Sequence, residues 1–112
     1  FAESDFKFLD DGPWMPIVRA LLGKSVHRIA YGAFVSLPGA KAQDPHSDGD
    51  HINKQRHALP HAINVFIPLV DLVGGNRGNG PTEFHPTTHV LGHDNDEVQP
   101  VVLELKAGQA VL

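Results

Sequence analysis

Ala62-Ile-Asn-Val-Phe-Ile-Pro-Leu-Val70 is the clearest strand pattern in the chain, and the predicted fold class follows from it. Apolar side chains occupy every second position from 63 to 69, while Asn64 and Phe66 fall on the other face, as in a half-buried strand. Pro68 has no N–H group to donate, so we expect an edge position or a bulge there. The segment therefore needs partner strands from the sequence on either side.

Other stretches with the residue types of strands are candidate partners. β-Branched and aromatic residues fill positions 26–35 and 101–105. A glycine- and asparagine-rich turn at 74–81 should form a hairpin into residues 82–85. Short strands separated by turn residues predict a mainly β fold of the sandwich or barrel type.

The N-terminal region has a helical pattern instead. Within 13–22, apolar residues recur at helical spacing, with Asp11 available as a cap and Gly23 as a stop. We predict a short amphipathic helix there. Trp14 and Phe6 are expected to anchor this region against the sheet.

Length and composition restrict the function classes. A chain of 112 residues can bury one core, so we expect a single domain in which residues 1–25 give helical support to strands in 26–112. Nine Lys and Arg against thirteen Asp and Glu leave no basic stripe, which disfavours nucleic acid as a partner. The absence of cysteine excludes thiolate metal sites and suits an intracellular setting. The longest apolar stretch, 62–73, contains Asn64, Pro68 and Asp71, so no membrane span is predicted.

His46-Ser47-Asp48 suggests a metal site. Side chains two positions apart on an extended segment point the same way, so this imidazole and carboxylate can contact one ion. A mononuclear Fe(II) site uses two histidines and one carboxylate, with open positions opposite them. Chance alone often produces a His-x-Asp triplet in a chain with this many histidines and aspartates, so a turn histidine and a solvated aspartate are the alternative.

The His46–Asp48 pair is part of a longer sequence pattern that consists of four stretches. They are Pro45-His-Ser-Asp48, Ile63-Asn-Val-Phe-Ile-Pro-Leu-Val-Asp71, Asn79-Gly-Pro-Thr-Glu-Phe-His-Pro-Thr-Thr-His89 and Leu105-Lys-Ala-Gly-Gln-Ala-Val-Leu112. In order and spacing they resemble the phytanoyl-CoA dioxygenase-like family, over roughly residues 26–112. The resemblance implies a double-stranded β-helix, or jelly roll, with the activity of an Fe(II)- and 2-oxoglutarate-dependent dioxygenase.

The resemblance also implies residue roles. His46 and Asp48 would be the catalytic metal ligands, and Asn64 would face 2-oxoglutarate. The reaction would use O₂ to hydroxylate a small organic substrate, with release of succinate and CO₂. Related halogenases lack the carboxylate ligand so that chloride can bind, so Asp48 indicates hydroxylation or another oxygen-retaining outcome. Family members usually have glycine where this chain has Thr87, so the resemblance leaves the geometry of that turn open.

In the family, the segment resembling 107–112 leads to a distal histidine and then to an arginine that binds 2-oxoglutarate. Neither follows in this chain, so we expect a partial domain without its last strands and leave the activity of the fragment itself open. The alternative function is a jelly-roll binding or interaction module with a vestigial or incomplete metal site. A cupin is disfavoured because its His-x-His arrangement is not found.

Five other histidines have two interpretations each. His85 and His89 could supply a third ligand, but lining a pocket rim or hydrogen bonding within their turn is favoured. Three more histidines are predicted in a solvated loop, with substrate contact as the alternative: His51, His57 and His61. For Asn64, a buried amide bonded to the backbone is the alternative to cosubstrate binding.

Overall fold

The structure, a computed structural model, describes residues 3–92 and 98–112. A 3₁₀ helix spans Glu3–Asp11 and helix α1 spans Met15–Leu22. Strands β1 and β2 span Glu83–Phe84 and Val101–Val102. Turns, bends and irregular backbone make up most of the remaining described residues. Within the described part of the chain, neither helix has the length and apolar character needed to cross a membrane.

Helix α1 forms where the apolar spacing predicts it. It ends at Gly23, whose φ of 93° suits glycine and whose N–H donates to the Arg19 carbonyl at 3.0 Å. Trp14, and not Asp11, occupies the N-cap position, so the predicted cap is wrong. The proline in the first turn explains how the helix starts without a side-chain cap, because its fixed φ already suits a helix.

The buried side chains of this region are those of Trp14, at the N-cap, and Val18, within α1, which are 9% and 6% exposed. Trp14 also donates its indole N–H to the Leu9 carbonyl at 3.3 Å, which attaches the 3₁₀ helix to α1. The predicted burial of Trp14 is confirmed, but its hydrogen bond joins it to the 3₁₀ helix and not to a sheet, which corrects its predicted partner.

The 3₁₀ helix was not predicted from the sequence, and side chains from the following segment hold it. Phe6 stacks on Tyr31 with 4.3 Å between ring centroids. Arg28 donates to Asp10 at 2.9 Å and lies 5.0 Å from the centre of the Tyr31 ring. Phe6 is thus anchored by Tyr31 rather than by a sheet, which corrects its predicted partner.

The strand pairings are antiparallel and nested. The inner pair is β1 with β2, in which Glu83 faces Val102 and Phe84 faces Val101. Outside it, isolated bridges join Phe66 to Val111 and Leu72 to Leu105. Both bridges belong to one antiparallel register, because Leu72 lies six residues after Phe66 and its partner Leu105 lies six residues before Val111. The segments 66–72 and 105–111 therefore run side by side, and the turn at 74–81 does not create a hairpin with residues 82–85.

The predicted jelly roll is wrong. The described residues contain two strands of two residues each, and 26–35 is irregular rather than a strand. A strand needs a partner for its N–H and C=O groups, so alternation of apolar residues is not sufficient on its own. Between Phe66 and Leu72 the ladder is interrupted where Pro68 has no N–H to donate. Opposite Pro68, a turn closes on itself as Gln109 N–H donates to the Lys106 carbonyl at 3.1 Å.

Candidate metal centre

His46 and Asp48 converge in the structure. Their Nε2 and Oδ1 atoms are 3.5 Å apart. Each donor atom bound to a first-row metal lies roughly 2.1 Å from it, so two donors on one ion can be up to roughly 4 Å apart. The observed separation therefore fits a single ion held by one imidazole nitrogen and one carboxylate oxygen.

A backbone contact orients the His46 ring. Its Nδ1 lies 2.8 Å from the carbonyl oxygen of Asp44. A carbonyl only accepts hydrogen bonds, so Nδ1 donates to it, and in the neutral ring Nε2 is the nitrogen that would bind a metal. Histidine ligands of metals commonly have this arrangement, in which the second ring nitrogen donates to a carbonyl or carboxylate. Nε2, the nitrogen that would bind a metal, is the one that faces Asp48.

Asn64 contacts the far oxygen of Asp48. Its amide Nδ2 donates to Asp48 Oδ2, which leaves Oδ1 facing His46. The side chain of Asn64 is exposed and its partner is a carboxylate, so the alternative of a buried amide bonded to the backbone is wrong. Two segments far apart in the sequence, 46–48 and 62–70, thus meet at this carboxylate.

The pair is open to solvent, and no third ligand group joins it among the residues that the structure describes. The His46 and Asp48 side chains are 57% and 49% exposed. Across residues 3–92 and 98–112, no group of three or more His, Cys, Asp and Glu side chains could hold a metal ion. His85 and His89 therefore do not complete the site. His57, in the polar loop, accepts a hydrogen bond from the Leu91 N–H at 3.3 Å, which connects that loop to the turn after His85.

A cavity of about 450 Å³ lies at the inner strand pair. It is lined by Phe84, His85, Pro86, Thr87, Thr88, His89, Val101, Leu103, Val111 and Leu112. His85 and His89 thus line a cavity, which is one of the two roles predicted for them, although neither His46 nor Asp48 lines it. The sequence did not indicate that residues 101–112 form the facing wall, because that wall depends on the nested pairing.

The turn at 85–88, which lines this cavity, has an unusual backbone conformation. Thr87 has a φ of 70°, the only positive φ among the non-glycine residues that the structure describes. The Thr88 hydroxyl donates to the His85 carbonyl at 2.8 Å and closes the turn. A β-branched residue rarely adopts a positive φ, so this turn is strained at the position where the family usually has glycine.

Comparison with known proteins supports the resemblance noted in the sequence. The sequence profile described as phytanoyl-CoA dioxygenase (PhyH) matches residues 3–112, which includes the N-terminal helices. No solved structure matches the chain. The proteins of the matching family are Fe(II)- and 2-oxoglutarate-dependent oxygenases. Because the match extends over nearly the whole sequence, this chain belongs to the phytanoyl-CoA dioxygenase family.

Proposed function

We propose that the chain carries the Fe(II)-binding pair of a 2-oxoglutarate-dependent dioxygenase that hydroxylates a small organic substrate, with release of succinate and CO₂. The 3.5 Å approach of His46 Nε2 to Asp48 Oδ1 is the observation that supports this proposal most directly. Family membership supports the same class of reaction. The distal histidine and the arginine expected from the resemblance stay predictions.

In this proposal His46 and Asp48 hold the metal and Asn64 positions the carboxylate. Fe(II) and 2-oxoglutarate, when bound, supply the oxidising chemistry that activates O₂. The Asp44 carbonyl keeps the His46 lone pair on Nε2. By holding Asp48 Oδ2, the Asn64 amide would leave Oδ1 available to the metal. The contact with 2-oxoglutarate that the resemblance implies for Asn64 stays a prediction. A carboxylate ligand favours hydroxylation over halogenation.

The proposal is tested by anaerobic titration of the protein with Fe(II) and then 2-oxoglutarate. The chelate of the two gives a visible charge-transfer band, which we expect in the parent and not in His46→Ala or Asp48→Ala. His27→Ala is the matched control, because His27 is an exposed histidine outside the pair and its loss should leave the band unchanged. A band that persists in both ligand variants, or is absent from the parent, contradicts the assignment.

The second candidate function is a binding or interaction module with an incomplete metal site. The half-exposed pair without a third His, Cys, Asp or Glu partner among the described residues favours it. Succinate production distinguishes the two functions, since only the oxygenase converts 2-oxoglutarate and O₂ to succinate and CO₂. A protein that binds Fe(II) through His46 and Asp48 but forms no succinate supports the module.

A further inference from the structure

One asparagine closes the glycine-rich turn at residues 71–80, called the Asn79 turn below. The Asn79 side chain accepts from the Val73 N–H at 2.9 Å through Oδ1 and donates through Nδ2 to the Asp71 carbonyl at 2.8 Å. The Asn79 backbone N–H also donates to the Val73 carbonyl at 3.1 Å. The side-chain amide therefore presents one donor and one acceptor to the opposite backbone, as a peptide group of a paired strand would.

The backbone around Asn79 leaves little room for another arrangement. The Gly78 N–H donates to the Gly75 carbonyl at 2.9 Å. A Cβ atom at Gly78 would overlap the Val73 carbonyl oxygen, so the chain passes close to itself there. The shape of the Asn79 turn thus depends on the two hydrogen bonds of a single amide group.

Asn79 is also the one asparagine in the sequence that glycine follows. This dipeptide favours deamidation, because no side chain on the second residue hinders attack by its backbone nitrogen. The Gly80 nitrogen bonds to Cγ of Asn79 and closes a succinimide ring, while the side-chain nitrogen leaves as ammonia with the Gly80 proton. Water then opens the ring to aspartate or isoaspartate, so the net change replaces the amide NH₂ with OH.

The folded structure opposes this reaction. Both ends of the Asn79 amide are bound in the closed turn, so we expect ring closure when the turn opens locally. Neither product can restore the original contacts. Aspartate has no N–H to donate to the Asp71 carbonyl, and isoaspartate adds a carbon to the backbone of the turn.

We propose that Asn79 is a deamidation site and that its modification releases the Asn79 turn. The Asp71 side chain also accepts from Lys106 and from the Ala107 N–H, so the turn and the segment 105–111 share this residue. The site does not involve His46, Asp48 or any cofactor. The proposal therefore stands or fails separately from the oxygenase function.

Peptide mapping by mass spectrometry tests the reaction. The protein is incubated in mildly alkaline buffer, with and without urea, and the asparagine peptides are followed over time. We expect deamidation at Asn79 before Asn53, Asn64 or Asn76, and about tenfold more slowly without urea, because two hydrogen bonds of ordinary net strength close the turn. Equal rates with and without urea, earlier modification of another asparagine, or no product at Asn79 in the folded protein would overturn the proposal.

A matched pair of variants tests the consequence. Asn79→Asp reproduces the aspartate product and should raise the equilibrium constant of unfolding about fivefold, since one hydrogen bond is lost. Asn76→Asp adds the same charge at an exposed position of the same turn and should leave that constant nearly unchanged. Hydrogen exchange should be faster at the Val73 amide in Asn79→Asp and unaltered in Asn76→Asp. Equal effects of the two variants would contradict the release of the turn.

Discussion

At the scale of single residues, Thr87 has an unfavourable backbone conformation. Its φ of 70° is a conformation that glycine adopts at no steric cost, whereas a β-branched side chain is strained there. The resemblance to the phytanoyl-CoA dioxygenase family had singled out this position, because its members usually have glycine there. The strain is local, and one substitution should relieve it.

We predict that Thr87→Gly raises the free energy of unfolding by about 1 kcal/mol, because relief of strain outweighs the entropy that glycine loses on folding. Urea unfolding followed by the fluorescence of Trp14 measures this difference. Thr82→Gly is the matched control: it has no positive φ to relieve and should destabilise by about 0.5–1 kcal/mol. A Thr87→Gly variant no more stable than the parent would show that the turn is not strained.

At the scale of elements, the segments 66–72 and 105–111 are joined by more than their two bridges. Asp71 Oδ2 accepts from Lys106 Nζ at 2.8 Å, and Asp71 Oδ1 accepts from the Ala107 N–H at 3.0 Å. The Pro68 carbonyl accepts from the Gly108 N–H at 2.9 Å. One carboxylate thus bonds both a side chain and the backbone of the opposite segment.

The hydrogen bond from Lys106 lowers the pKa of Asp71 below its ordinary value, with a further contribution from the Ala107 N–H. A lowered pKa in the folded state gives stability that is present above the unfolded pKa of about 3.9 and is lost as pH falls through the folded pKa. We therefore predict that the urea midpoint decreases as pH drops below about 4. Because Asp71 is exposed, the decrease should be modest.

Asp71→Asn tests the assignment. The variant should have a lower urea midpoint at neutral pH and a smaller change in midpoint on acidification, since the ionisable group has been removed. Asp50→Asn, at another exposed aspartate, should retain the acid dependence of the parent. An unchanged acid dependence in Asp71→Asn would assign the effect to other carboxylates.

At the scale of the whole molecule, large apolar side chains remain on the surface. Ile29 and Phe34 are 84% and 88% exposed, in the irregular segment that the sequence predicted as a strand. Exposed apolar surface and unpaired backbone groups promote association between chains. This surface follows from the small number of strand pairs in the described structure.

We predict that the protein self-associates as its concentration rises, as measured by sedimentation velocity. Phe34→Glu should shift the distribution toward monomer, because it removes apolar area and adds charge. Gln43→Glu, at an exposed polar position, adds the same charge and should leave association unchanged. A parent protein that is monomeric at all concentrations and melts cooperatively would contradict this prediction.

The sequence by itself determined what depends on short spacing. Helix α1 with its buried Trp14 and the stop at Gly23 follow from residues within a few positions of one another. The convergence of His46 and Asp48 also depends on residues two apart, and the family is evident from the order of four short stretches. Local spacing is read directly from a sequence because the backbone repeats every 3.6 or 2 residues.

Only the tertiary structure decided which distant segments meet. The nested pairings, the contact of Asn64 with Asp48 and the cavity around His85 all join residues far apart in the chain. Alternating apolar residues predicted a β sandwich or barrel, and the family resemblance implied a jelly roll. The same alternation is, however, compatible with many partners and with none. Pairing depends on the register between segments and on whether each N–H group has an acceptor. Neither can be read from the spacing of residues within a single segment.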